Sequence, residues 1–157
     1  MPLATLQPQD FTAVTELLTS NSLLAMDLTP ADMDTFIGCR SEGELVAVGA
    51  LQSFGAHGLL RSIATNPRFR GRGCAAEIVR QLEANADQDH LDAVYLLTEI
   101  AEPFFEARGY TRVAREHAPE SLRSTPQFAE LCPDVAACMV KRLPGEQPSP
   151  SLEDTRD

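Results

Sequence analysis

The segment Asn66-Pro67-Arg68-Phe69-Arg70-Gly71-Arg72-Gly73-Cys74-Ala75 separates a strand-like run, residues 59–65 (LLRSIAT), from a helix-like run that starts near Cys74. A strand that enters a helix through two glycines can hold an anion. The glycines lack Cβ atoms, so a ligand can approach the backbone closely. Successive N–H groups converge into one concavity, and the helix start adds partial positive charge. Flanking arginines add full charges. No Gly-Lys-Ser/Thr follows, so the turn is not a P-loop. The dinucleotide pattern would need glycine where Ala76 stands. A pyrophosphate cradle and a solvated strand–helix turn both remain open at this point.

Apolar periodicity organises the chain on either side. Downstream, Ala75, Ile78, Val79, Leu82 and Ala86 recur at helical spacing. Residues 92–97 (DAVYLL) read as a buried strand, and 100–108 as a short helix with Pro103 in its first turn and Gly109 as its C-terminal cap. Strands are expected at 110–114 and 136–141. Upstream, 3–7 reads as a strand, and Phe11, Val14, Leu17 and Leu18 define a helix that Asp10 can cap. A second helix is expected over 23–36, broken by Pro30. Residues 36–40 and 44–51 alternate around Ser41–Gly43 as a β-hairpin. The predicted order is β-α-α-β-β-β-α-β-α-β-β, an α+β arrangement in one domain over 1–143. The remainder, 144–157 (PGEQPSPSLEDTRD), reads as a disordered acidic tail.

The chain has 157 residues and a formal net charge of −10, with 43% apolar and 23% charged residues. That balance suits one globular domain rather than a disordered acidic chain. Residues 61–80 hold Arg61, Arg68, Arg70, Arg72 and Arg80 against Glu77 alone, the one cationic stretch in an acidic chain. A bound anion is expected there. The acid excess argues against nucleic acid and against anionic membranes as partners. No apolar run approaches membrane-spanning length. No basic-then-apolar leader precedes the domain, so a cytoplasmic protein with reduced thiols is expected. The cysteines Cys39, Cys74, Cys132 and Cys138 form no C-x-x-C pair, and no metal site is expected.

Two motifs resemble a known family. Arg70-Gly71-Arg72-Gly73-Cys74-Ala75 matches the R/Q-x-x-G-x-G/A acetyl-CoA signature of the GNAT N-acetyltransferases. Ala101-x-x-Phe104-Phe105-x-x-x-Gly109-Tyr110 is similar to that family's A-x-x-F-Y-x-x-x-G-F. The resemblance covers about residues 3–142. It implies the GNAT fold, a mixed and mostly antiparallel sheet of about 6–7 strands with about four helices. A narrower resemblance, carried by LLRSIATNPRFRGRG, YLLTEIAEPFFEARGY and QFAELCPDVAACMVK, is to the arsenic-resistance N-acetyltransferases. The first two of these segments are also similar to the acetyltransferase domain of acetylglutamate synthases.

The resemblance implies direct acetyl transfer from acetyl-CoA to the amine of a small amino-acid-like acceptor, with no metal. Within the narrower grouping that acceptor would be an organoarsenical amino acid; an ordinary amino acid such as glutamate and a non-catalytic acetyl-CoA sensor are the rivals. The pyrophosphate would lie on backbone N–H groups from Gly71 through Gly73 and Cys74 to Ala75, with Arg70 and Arg72 as charge partners. The pantetheine arm would run beside Ile63, Ala64 and Thr65 between splayed central strands. The backbone N–H near Ile63 would face the thioester oxygen, a contribution of roughly 3–4 kcal/mol in comparable oxyanion sites. The family's usual acid tyrosine falls at Phe105, which carries no proton to give. Its usual asparagine falls at Thr98. Glu99 and Glu102 are the nearest carboxylates, with helix capping as their structural alternative. Arg61 and Ile63 would share a strand face, so Arg61 is a candidate grip for an acceptor carboxylate, and Arg40 a second. A homodimer is expected by analogy alone.

Overall fold

The computed structural model describes residues 2–126, 128 and 136–143. The expected tail at 144–157, Cys132 and most of the C-terminal resemblance segment lie outside the described residues. The strands are β1 (Leu3–Thr5), β2 (Phe36–Ser41), β3 (Glu44–Phe54), β4 (His57–Thr65), β5 (Ala93–Thr98), β6 (Thr111–Val113) and β7 (Ala137–Arg142). The helices are α1 (Phe11–Ser20), α2 (Cys74–Gln88), α3 (Glu102–Glu106) and α4 (Glu120–Arg123). They surround a seven-stranded sheet ordered β1-β2-β3-β4-β5-β7-β6. Every neighbouring pair is antiparallel except β4 and β5.

Local chemistry explains most element ends. Glu42 and Gly43 turn the β2–β3 hairpin with φ of 52° and 83°, a two-residue turn whose left-handed residues match strand twist. The expected second helix is absent: Pro30–Thr35 is a 3-10 turn, started by the reciprocal bonds of Thr29 and Asp32. Pro30 suits only its first turn, and the run before it has no cap. Asp10 does not cap α1 with its side chain. Its carboxylate accepts from Gln7 N at 2.8 Å and from Arg40 Nη2 at 2.8 Å, closing the turn before the helix. The Arg40 bond, with that from Gln7, holds its pKa below 3.8. His57 opens β4 and sits edge-on to Tyr95. Helix α4 had no counterpart in the sequence reading.

The sheet carries apolar layers on both sides. Ile78, Val79, Leu82 and Ala86 of α2 pack with Val46, Leu60, Leu96, Phe105, Tyr110 and Met139. Val14, Leu17 and Leu18 of α1 pack with Phe36, Leu45, Val48, Ala50 and Ala64. Leu59, Tyr95 and Cys138 meet Ala118 and Leu122 in a third cluster. Each fully buried aliphatic side chain stabilises the fold by about 1.5–3 kcal/mol.

A β-bulge breaks the alternation of β4. Val48 opposes Ala64 and Ala50 opposes Arg61, so Ser62 and Ile63 together face Gly49. Ser62 is left-handed, with φ of 60°, a conformation disfavoured for a non-glycine residue. The bulge turns Ile63 onto the α2 side with Leu60, while Ala64 joins the α1 cluster. Arg61 and Ile63 therefore lie on opposite faces, which corrects the shared face expected from simple alternation. Gly49 makes room for this. A Cβ there would come within 2.5 Å of Ile63 Cδ1 and 2.6 Å of Ile78 Cγ2.

Gly49→Ala is expected to destabilise the chain by about 1–3 kcal/mol through overpacking, measured by urea unfolding. Tyr110, 1% exposed, donates to Glu83 at 2.9 Å. Burial first, then the Glu83 charge and bond, raise its pKa well above the usual 10.0. The neutral phenol is the form the fold favours, so its contribution is complete below about pH 10 and declines as pH rises above it. Tyr110→Phe should flatten that alkaline decline in unfolding free energy; an unchanged slope refutes the assignment.

Candidate active site

β4 and β5 pair only at His57–Ala93, Gly58–Val94 and Leu59–Tyr95. Beyond Leu59 the two strands part. β4 runs on to Thr65 and β5 to Thr98, where β5 keeps its antiparallel partner β7. The β5-facing edge of Leu60–Thr65 is thus left without a ladder partner, and the bulge at Ser62–Ile63 lies in this open stretch. Parallel strands that separate in mid-sheet create a cleft lined by main-chain hydrogen-bonding groups.

The glycine turn closes the mouth of the cleft. Asn66 ends β4, with N bonded to Val46 O at 2.8 Å and its side chain accepting from Arg68 N at 3.0 Å. Phe69 plugs the loop into the α2 core, and the Arg72 guanidinium lies 4.8 Å from its ring centroid. Gly71 and Gly73 have φ of 80° and 83°, and nothing lies within 4 Å of either would-be Cβ. The backbone N–H groups from Gly71 through Ala76 take no backbone acceptor among the described residues; the next one, on Glu77, bonds Gly73 O at 3.0 Å. Free N–H groups beside Arg70 and Arg72 suit a polyanion such as a pyrophosphate. Arg70 donates to Asn21, just past the end of α1. Cys74 is buried at the start of α2, and Ala75 is half-buried beside it.

The other expected residues divide. Ile63, Ala64 and Thr65 line the open edge of β4. Thr98 ends β5, and its hydroxyl accepts from Ala101 N at 3.0 Å, tightening the turn into α3. Glu99 is exposed in that turn. Glu102 is held by Arg112 of β6 through two bonds of 2.9 Å, a structural role, with its pKa lowered by that hydrogen bond. Phe105 is buried edge-on against Tyr110, at 5.6 Å between centroids. Arg40 lies on β2, with β3 between it and β4, and its guanidinium is occupied by Asp10.

Arg61 is also occupied. Its side chain is 2% exposed, and it grips Asp27 through Nη1–Oδ2 at 2.5 Å and Nη2–Oδ1 at 2.9 Å. Its Nε donates to Ser62 Oγ at 3.0 Å. Burial works to raise the Asp27 pKa, and the Arg61 hydrogen bond and charge overcome it, holding the carboxyl below 3.8. Sequence reasoning missed Asp27, Ser62, Asn21 and Gly49. The only signal for Asp27 was an arginine inside an apolar strand, which demands a buried carboxylate somewhere.

The sequence profile described as the acetyltransferase (GNAT) family matches residues 4–110. The chain belongs to that family. The family assignment agrees with the expected fold. A curated relative, an uncharacterized N-acetyltransferase of Chlorobaculum tepidum, is 30% identical over 88 residues. The alignment covers 54% of each protein, so the chain spans about half the length of that relative. Rv2747 of Mycobacterium tuberculosis, solved with CoA, superposes with a TM-score of 0.78 at 21% identity, over 91% of this chain and 99% of that one. N-acetylglutamate synthase of Neisseria gonorrhoeae, solved with CoA and N-acetyl-glutamate, gives 0.80 at 15% identity, over 90% of this chain and 35% of that one. These likenesses show a shared fold. Among the described residues no helix is long and apolar enough to cross a membrane, and no group of His, Cys, Asp or Glu is arranged for a metal.

Phe69→Ala is expected to cost about 3 kcal/mol of stability and to speed amide exchange across 66–73 while sparing α1. Unchanged protection in that loop would mean that Phe69 does not anchor it.

Proposed function

We propose that this chain is an acetyl-CoA-dependent N-acetyltransferase of a small amino-acid-like amine. The observation that carries the reading is the cleft between β4 and β5, with the unbonded N–H groups of Gly71–Ala76 at its mouth. When bound, acetyl-CoA supplies the thioester carbonyl that the amine attacks. Arg70, Arg72 and the turn backbone hold its pyrophosphate. The open edge of Ile63, Ala64 and Thr65 pairs with the amide groups of its arm. The N–H of Ile63, presented by the bulge, stabilises the negative charge that grows on the carbonyl oxygen. A donor fixed beforehand does this without reorganisation, and holding both reactants adds rate through proximity.

The amine must lose a proton. Glu99, exposed at the end of β5, accepts it through water, and the Thr98 hydroxyl orients that water. Phe105 supplies no acid, and a thiolate is a good enough leaving group to depart without one. CoA-bound neighbours of the same fold, one of them an N-acetylglutamate synthase, support an amino-acid-like acceptor. The sequence resemblance to arsenic-resistance N-acetyltransferases favours an organoarsenical amino acid within that class, detoxified by N-acetylation.

Thiol release from acetyl-CoA, followed across amino acids and amino-acid arsenicals, tests the reading. Turnover with at least one of these amines is expected, and tight CoA binding without turnover would favour a sensor. Gly73→Asp adds a negative charge and a Cβ in the left-handed region. It should weaken CoA binding at least tenfold by calorimetry, and unchanged affinity removes the pyrophosphate assignment.

A further inference from the structure

Arg61 lies in the middle of the sheet, and each of its three guanidinium nitrogens donates one hydrogen bond. Nε reaches the bulge residue Ser62, and Nη1 and Nη2 reach Asp27, which is 34 positions away in sequence. Both charged side chains are largely out of solvent, at 2% and 14% exposure. A buried ion pair adds little net stability over an apolar pair of similar size. A left-handed serine in a strand is also a cost. Both features fall beside Ile63, where β4 leaves β5. Unfavourable devices placed together point to a role beyond packing.

The segment that brings Asp27 there has a second attachment. Asn21 accepts from Arg70 of the glycine turn. The stretch 21–28 is therefore clasped at both ends, to the glycine turn by Asn21–Arg70 and to β4 by Asp27–Arg61. Between the clasps Leu23, Leu24 and Met26 stay exposed, at 38%, 44% and 76%. Leu28 is buried in the α1-side cluster and Ala25 packs against it, while the exposed residues between Asn21 and Ala25 take their fixed position from the polar clasps at either side.

We propose that Asp27 is a positioning residue for acetyl transfer. Through Arg61 it locks the bulge at Ser62–Ile63, and with it the direction of the Ile63 N–H, while it seats residues 21–28 beside the cleft. The proposal rests on the acetyltransferase reading given above. Asp27 touches neither reactant; it acts through Arg61 and Ser62.

The test uses Asp27→Asn, Asp27→Glu and the double variant Asp27→Leu/Arg61→Met, which removes both buried charges together. Acetyl-CoA and the best amine of the panel are the substrates, and CoA alone is the binding probe. The double variant and Asp27→Asn should lose at least tenfold in kcat, with the CoA dissociation constant within threefold of the parent. Asp27→Glu should recover most of the loss. Amide exchange at Ser62, Ile63 and residues 22–28 should quicken at least tenfold in both impaired variants. If the double variant does not fold, Asp27→Asn alone decides. A folded variant with kcat within twofold overturns the proposal. So does a rise confined to the amine KM, which would make Asp27 an acceptor contact. Should the parent acetylate no amine, the functional reading fails by itself. The exchange data still decide the positioning claim, because unchanged exchange at Ser62 and Ile63 refutes it.

Discussion

Two parallel strands that stop pairing in mid-sheet impose the main constraint on this molecule. Once β4 and β5 part after Leu59 and Tyr95, an edge of main chain opens inside the domain. Such an edge is costly unless water or a ligand satisfies it. The surrounding elements hold it apart. β7 keeps β5 straight, β3 keeps β4 in the sheet, and α2 lies across with its apolar stripe on Ile63 and Leu60. The glycine turn follows directly on that open edge, and its N–H groups from Gly71 through Ala76 take no backbone acceptor among the described residues.

The bulge refines that cleft. It needs the missing side chain at Gly49, the left-handed backbone at Ser62 and the anchoring of Arg61 by Asp27. These parts come from β3, β4 and the stretch after α1. A helix-only or strand-only account of the chain does not connect them. Stability and function also separate here. The core clusters hold the layers, whereas a buried pair such as Asp27–Arg61 adds little over an apolar pair of similar size and serves to set a direction.

The legible parts of the sequence were those that depend on near neighbours. Phe11, Val14, Leu17 and Leu18 announced α1 by their period, and Ile78, Val79 and Leu82 announced α2. Arg70-Gly71-Arg72-Gly73 announced a left-handed, cationic glycine turn, because positive φ and clustered charge are local properties. The misread parts depended on distant partners. Asp10 looked like a helix cap until Arg40, on β2, drew its carboxylate away. The stretch 23–36 looked helical on apolar content, but Pro30 and a reciprocal cap at Thr29 and Asp32 gave it a 3-10 turn. Arg61 and Ile63 looked like face-mates because alternation is the default for a strand.

By itself the sequence determined the strands, the helices α1, α2 and α3, the cationic glycine turn and the family. Each of these is written in spacing and residue type over about ten positions. Only the tertiary structure decided where β4 leaves β5, which face Arg61 takes, and that its charge belongs to Asp27. The reason is physical. A bulge adds one residue to a register that pairing with another strand defines, and a buried charge chooses its partner in three dimensions.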